Sequence, residues 1–256
     1  MLTISPIAAF SDNYIWHLQR DEQDWVVDPG DAGPVLNALG ERKLDGILIT
    51  HHHWDHTGGI AELAAEYRCP VYGPGSVGGV THPLAAGDHC EVLGFPVSVI
   101  DVPGHTLDHL ALLLRENDGR VEQNHLFCGD TLFASGCGRL FEGTPAQMYN
   151  SLAKLSALPP ETRVYCAHEY TLANLRFAAA AEPGNQAVHT RLAQVEALRA
   201  SGKTTLPSTI GEELATNPFL RCHIPALARQ AANHGAAENP DEVEVFAYLR
   251  RWKDNF

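Results

Sequence analysis

Five histidines and two aspartates, His51, His53, Asp55, His56, His105, Asp130 and His168, each stand at the end of an apolar run. Four of the seven fall in one heptapeptide, Thr50-His-His-His-Trp-Asp-His56, a density of metal-ligand types that a solvated loop has no reason to carry. Neutral imidazole suits zinc, iron and related metals, and carboxylate oxygen can bridge two of them. No sulfur belongs to the set. One catalytic ion takes three or four protein ligands, so seven suit a pair of ions about 3.5 Å apart that share a carboxylate and a hydroxide. A fold that serves this set must deliver separate strand ends to one place.

The order of segments meets that demand. Leu44–Thr50, "LDGILIT", is a short β-branched apolar run of the kind expected for a buried parallel strand, and the histidines begin where it stops. Thr57-Gly-Gly59 then leads into "IAELAAEY", which has helical spacing. "FPVSVIDVPGHT" is an alternating strand broken by Pro103-Gly104 before His105, "HLFCGDT" a strand ending at Asp130, and "TRVYCAHEY" a strand ending at His168.

Other histidines do not join the set. His52 alternates with His51 and His53 and should point away from them, and His109 should open the strand "HLALLLR". His17, His82, His89, His125, His189, His223 and His234 are read as ordinary hydrogen-bonded residues. Gly73, Gly75 and Gly78 fit a dinucleotide fingerprint, but Pro74 intrudes and no helical pattern follows, so a loop is expected and no nicotinamide or flavin. Asp28-Pro29-Gly30 ends the strand "WVV" and is expected to make a structural turn facing the site.

With 256 residues, 45% of them hydrophobic, the chain can bury a substantial core. Strand-like segments dominate to about Cys166, after which "TLANLRFAAAAE", "NQAVHTRLAQVEALRASG" and "DEVEVFAYLRRW" read as helices. A mixed α/β domain at residues 1–168 and a smaller helical one at 169–256 are expected. The formal charge of −13, from 31 acidic and 18 basic residues, argues against nucleic acid or an anionic membrane as partner. An anionic small ligand would then need local cations, and Arg250, Arg251 and Lys253 form a basic cluster. Six scattered cysteines without C-x-x-C pairs, and no signal-like segment before the first strand, point to the cytoplasm. A monomer is expected.

The segments "THHHWDH", "PGHT", "GDTLF", "GCGRLFEGT", "CAHEYT", "NPFLR" and the terminal "RRWKDNF" resemble the metallo-β-lactamase superfamily and, within it, the glyoxalase II (hydroxyacylglutathione hydrolase) family. The resemblance runs from Ile4 to Phe256, with the last four segments narrowing it to the family. It implies an αββα sandwich with a small helical C-terminal domain. It assigns His51, His53 and His105 to a first metal, Asp55, His56 and His168 to a second, and Asp130 to a bridge between them. Zinc is the first expectation, with iron and manganese accepted by the same donors. Arg139, Tyr170, Arg250 and Lys253 match substrate-contact positions, while Phe141 stands where many relatives have tyrosine.

The implied reaction is hydrolysis of the thioester of an S-(2-hydroxyacyl)glutathione such as S-D-lactoylglutathione, in the detoxification of methylglyoxal, with a hydroxide between the ions as nucleophile. The residues agree with that chemistry. A metal lowers the pKa of bound water from about 15.7 to about 7, so no serine or cysteine nucleophile is needed. The same ions stabilise a tetrahedral oxyanion, and a thiolate leaves with little acid assistance. Asp55, placed between two ligands, is expected to coordinate rather than act as general base. A persulfide dioxygenase with one iron and a metal-storage protein are the alternatives; the full second ligand set and the basic tail argue against the first, and thioester turnover would exclude the second.

Overall fold

The computed structural model describes residues 1–117, 119, 122–233 and 235–256, so His234 lies outside the described residues. The chain divides into two compact units: Met1–Asp101 with Asp108–Gly129 and Tyr165–His168, and Val102–Leu107 with Asp130–Val164 and Glu169–Phe256.

In the first unit β1 (Thr3–Ala9), β2 (Asn13–Arg20), β3 (Gln23–Val27), β4 (Gly46–Leu48), β5 (Val71–Pro74) and β6 (His82–Leu84) form one sheet in chain order. The first three pair antiparallel and β3 to β6 parallel. Parallel neighbours need crossovers. Helix α1 (Ala32–Leu39) connects β3 to β4, and the short α2 (Trp54–Thr57) and α3 (Ile60–Tyr67) connect β4 to β5. Strand β4 is fully buried, as its apolar run predicts. Ile47 and Ile49 pack with Ile15 and Val26 against Val35, Leu39, Ile60 and Leu63 of the two longer helices. The alternate residues Trp16, Val27 and Leu48, in register with one another, point to the opposite face.

That face meets a second sheet, an antiparallel meander of β7 (His89–Val92), β8 (Phe95–Asp101), β9 (Leu110–Asn117) and β10 (Glu122–Gly129), extended past β10 by Tyr165 and Cys166. Trp16 joins the layers: its indole N–H donates to Cys166 O at 2.9 Å and its ring stands edge-on to Tyr165 at 4.9 Å. Buried His125 is held between Glu116 and Tyr165 at 3.1 Å each, an ordinary hydrogen-bonded residue as expected. Gly73 to Gly78 is the end of β5 and a turn, with no helix.

The second unit carries a small hairpin, β11 (Leu132–Phe133) and β12 (Gly136–Cys137), then α4 (Pro145–Ser156) and β13 (Arg163–Cys166), whose first two residues pair with β14 (Ser208–Thr209). Helices α5 (Thr171–Ala181), α6 (Gln186–Ala200), α7 (Ile210–Thr216), α8 (Pro225–Asn233) and α9 (Glu242–Asp254) follow, with a 3-10 turn at Pro218–Leu220. The three helices expected after residue 170 are present. Helix α4 was not expected from the composition shift, although Thr144 and Gln147 form a reciprocal capping box at its start. Phe177, Phe219, Phe246 and Trp252 make an aromatic core for this unit, with ring centroids 5.1 to 5.9 Å apart. Among the described residues no helix is long and apolar enough to cross a membrane, and the six cysteines are all free thiols.

Candidate metal centre

The parallel register of β3 and β4 sets the first part of the site. Asp28 N–H donates to Leu48 O at 2.9 Å, which leaves the Asp28 carboxylate beside Thr50. Its two oxygens accept the Thr50 amide at 2.8 Å and the Thr50 hydroxyl at 2.7 Å. The hydroxyl proton is thereby committed, so the 3.0 Å contact between Thr50 Oγ1 and His51 Nδ1 must be an imidazole N–H donating to oxygen. His56 Nδ1–H donates to Asp28 Oδ2 at 3.1 Å. Both rings are fixed with Nε2 as the lone-pair nitrogen, the state that binds metal. Asp28 therefore orients two candidate ligands, a larger part than the structural turn expected of it.

The turn of α2 places Asp55 and His56 together, and close backbone packing locks it. A Cβ on Gly30 would lie 1.8 Å from Asp55 O, and one on Gly59 would lie 2.6 Å from Pro29 O. Asn13 Nδ2 donates to Asp55 Oδ2 at 3.0 Å. His168 arrives on the segment after β13, where Tyr14 N–H donates to Ala167 O at 2.7 Å and Asn13 bridges to His168. Its Nδ1–H donates to Asp12 Oδ1 at 2.7 Å.

From Asp55 Oδ2, His56 Nε2 is 3.5 Å and His168 Nε2 is 3.6 Å away. Two ligand atoms about 2.1 Å from a tetrahedral ion stand about 3.4 Å apart. These two spacings, the donor types and the carboxylate behind each imidazole fit a divalent cation. His51 Nε2 lies 3.2 Å from His53 Nδ1, a second close pair of imidazole nitrogens. His52 turns away to Asp108 at 3.0 Å, as its alternation predicts. His109 precedes β9 and stacks on His51 with centroids 4.5 Å apart, supporting that ring.

The second unit holds the remaining two candidate ligands. His105 Nδ1–H donates to Arg139 O at 2.8 Å, and its Nε2 lies 3.4 Å from Asp130 Oδ2. The tautomer is again fixed from behind, here by a backbone carbonyl. Gly138 permits the approach, since a Cβ there would lie 1.9 Å from Asp130 O.

The expected substrate contacts fall in the same unit. Phe141 is 64% exposed, its ring edge-on to His105 at 5.2 Å. Tyr170 packs edge-on to Phe133 at 5.3 Å. Arg139 Nε is 3.6 Å from Asp254 Oδ1, which also accepts Arg250 Nη2–H at 2.9 Å. Arg250 is buried, with its Nη1 donating to Cys137 O at 2.7 Å. Lys253 lies over the Phe177 ring with Nζ 5.7 Å from the centroid. Burial, then the charges of Arg250 and Arg139, hold the Lys253 ammonium below the usual lysine range. Three cations around one carboxylate leave a positive patch suited to an anionic ligand. Burial pushes the Cys137 thiol up to about 11, so it remains protonated and is no nucleophile.

Sequence reasoning missed Asp12, Asn13 and Asp254. Ser11-Asp12-Asn13 between two strands has only the signature of a turn.

The chain is similar to known proteins along its whole length. Residues 12–168 match the metallo-β-lactamase superfamily, and residues 169–256 match the hydroxyacylglutathione hydrolase C-terminus. Hydroxyacylglutathione hydrolases of Dechloromonas aromatica (strain RCB) and Alkalilimnicola ehrlichii are 51% and 57% identical, the first over 100% of both chains and the second over 99% of both. Among solved structures, ETHE1 from Myxococcus xanthus superposes with a TM-score of 0.66 at 22% identity, covering 98% of this chain and 91% of its own. TTHA1623 in a di-iron-bound form gives 0.56 at 25% identity, covering 85% of this chain and 100% of its own. The fold is that of the metallo-β-lactamase superfamily, a mixed α/β sandwich with a helical C-terminal region. Within it, the chain belongs to the hydroxyacylglutathione hydrolase family.

Proposed function

We propose that the chain hydrolyses the thioester of S-(2-hydroxyacyl)glutathione, typically S-D-lactoylglutathione, to glutathione and a 2-hydroxy acid, and so serves methylglyoxal detoxification. The observation that carries this reading is the Asp55, His56 and His168 donor triangle, with a carboxylate behind each imidazole, in a chain whose full length matches enzymes of that name. His51, His53 and His105 would hold one divalent cation and Asp55, His56 and His168 the other, with Asp130 as a further carboxylate ligand. Zinc is the favoured metal. Bound there, the cations supply Lewis acidity and hydroxide at neutral pH.

The protein's own groups do the rest. Asp12, Asp28, Thr50 and the Arg139 carbonyl keep the protons of His168, His56, His51 and His105 on Nδ1 and off the ligand nitrogen. Arg139 and Lys253 meet the carboxylates of the glutathione moiety and Tyr170 offers its hydroxyl. Arg250, buried against Cys137 and Asp254, sets the position of that basic patch. Phe141 supplies an apolar surface with no hydroxyl. Residues 1–168 form the catalytic domain and 169–256 the substrate-binding one. The acidic surface suits a monomer in the cytoplasm that binds neither nucleic acid nor membrane.

The test is a steady-state assay with S-D-lactoylglutathione beside metal analysis of the same preparation. Turnover that chelation abolishes, with close to two metals per chain, is expected. A fully metallated sample that leaves the thioester intact would overturn the substrate.

A further inference from the structure

The β11–β12 hairpin is too short to hold itself. Its ladder has two residue pairs, Leu132 with Cys137 and Phe133 with Gly136, and isolated hairpins are marginal in water at any length. Of its two loop residues only Ser135 has a positive φ, 55°, whereas the turns that suit hairpin twist begin with one. Yet the hairpin follows directly on Asp130-Thr131 and returns into Gly138-Arg139, whose carbonyl fixes His105. Any looseness in it would reach both candidate ligands.

Five side chains of the helical segment hold it. Asn217 Nδ2 donates to Phe133 O at 3.2 Å and Gly136 O at 2.9 Å, tying the two strands. Asn174 Nδ2 donates to Ala134 O at 3.0 Å, and Ser135 N–H donates to Glu213 Oε2 at 2.7 Å. Arg191 Nη1 donates to Ser135 Oγ at 3.0 Å and pairs with Glu213 at 2.9 Å. Arg250 Nη1 donates to Cys137 O at 2.7 Å. None of the five is more than 6% exposed, so water does not compete for these bonds.

We propose that Asn174, Arg191, Glu213, Asn217 and Arg250 are positioning residues for the metal centre, giving the helical segment a second role: it holds Asp130 and the carbonyl behind His105 in register. This rests on the reading of Asp130 and His105 as ligands. It also gives the "NPFLR" segment a purpose, since its asparagine is the residue that spans the hairpin.

Asn217→Asp keeps the side-chain shape and removes its donors, and Asn174→Ala removes one contact at the tip. Each is compared with wild type for metal affinity by chelator competition, for amide exchange of Leu132–Cys137 in metal-free protein, and for kcat and KM. The expected result is a tenfold or greater loss of metal affinity, in the range seen when support behind metal ligands is removed. Exchange should quicken within the hairpin, and kcat should fall while KM stays within about twofold. A folded variant with wild-type metal affinity and hairpin exchange, or with a rise in KM alone, overturns the proposal. Should Asn217→Asp fail to fold, Asn174→Ala decides. Metal affinity and exchange involve no substrate, so a wild type inactive on S-D-lactoylglutathione would sink the substrate reading and leave this one standing.

Discussion

Asp12 Oδ1 accepts the Nδ1 proton of His168 at 2.7 Å, across 156 residues of sequence. The carboxylate fixes the tautomer and the orientation of the ring. Asp12→Ala should weaken binding of one of the two metals by about 10- to 100-fold with the fold retained. Metal stoichiometry against a graded chelator checks it, and two equally tight sites in the variant would refute the role given to Asp12.

Lys253 and Phe141 should act on substrate binding alone. Lys253→Ala removes the cation proposed to meet a substrate carboxylate, and KM should rise about tenfold with kcat unchanged. Phe141→Tyr adds a hydroxyl on an exposed ring; one new hydrogen bond is worth about 1 kcal/mol, so KM should fall about fivefold. Steady-state kinetics of both variants at fixed metal loading would show it, and a change confined to kcat would place either residue elsewhere in the reaction.

Gly30→Ala should damage the site through the backbone. The added methyl would sit 1.8 Å from the carbonyl oxygen of Asp55, and the shift needed to relieve it moves a candidate ligand. Loss of bound metal and a lower Tm, both measured on the purified variant, are expected; a wild-type metal content would contradict the tight packing.

Glu182 provides a test of pH dependence. Burial pushes its carboxyl up, but the Arg221 guanidinium, with two contacts of 2.8 Å, and Asn185 at 2.9 Å outweigh that and hold it below the ordinary value of 4.5. A carboxyl with a lowered folded pKa contributes stability that is full above the unfolded value and is lost as pH falls through the folded one. Glu182→Gln should therefore lower Tm at pH 7 and narrow its gap to wild type as the pH drops below about 4. A gap constant with pH would show that the pair contributes no charge-dependent stability.

The strand ends that carry the candidate ligands could be read from the sequence because each couples a hydrophobic run with a polar residue of metal-binding type. The run of β4 and the loop after it illustrate this, and so does the turning away of His52. What supports the ligands could not be read. Asp12 and Asn13 have turn chemistry, and their partners Asp55 and His168 are distant in sequence. Arg191 and Glu213 stand on helices where charged residues ordinarily face water, yet both are buried. Their partners lie in a hairpin with ladders too short to leave a periodicity. Arg250 has the composition of a surface cation and the environment of a core residue. Helix α4 carries its signal in the Thr144 and Gln147 capping box and in no shift of composition.

The distance in sequence between the parts of the donor triangle has a consequence for the order of events in synthesis. Asp55 and His56 leave the ribosome more than a hundred residues before His168, and the side chains that hold the Asp130 hairpin extend to Arg250. A nascent chain grows at about 5–20 residues per second and folds its N-terminal part first. The strands of the first sheet can therefore form while the candidate ligand set is still incomplete.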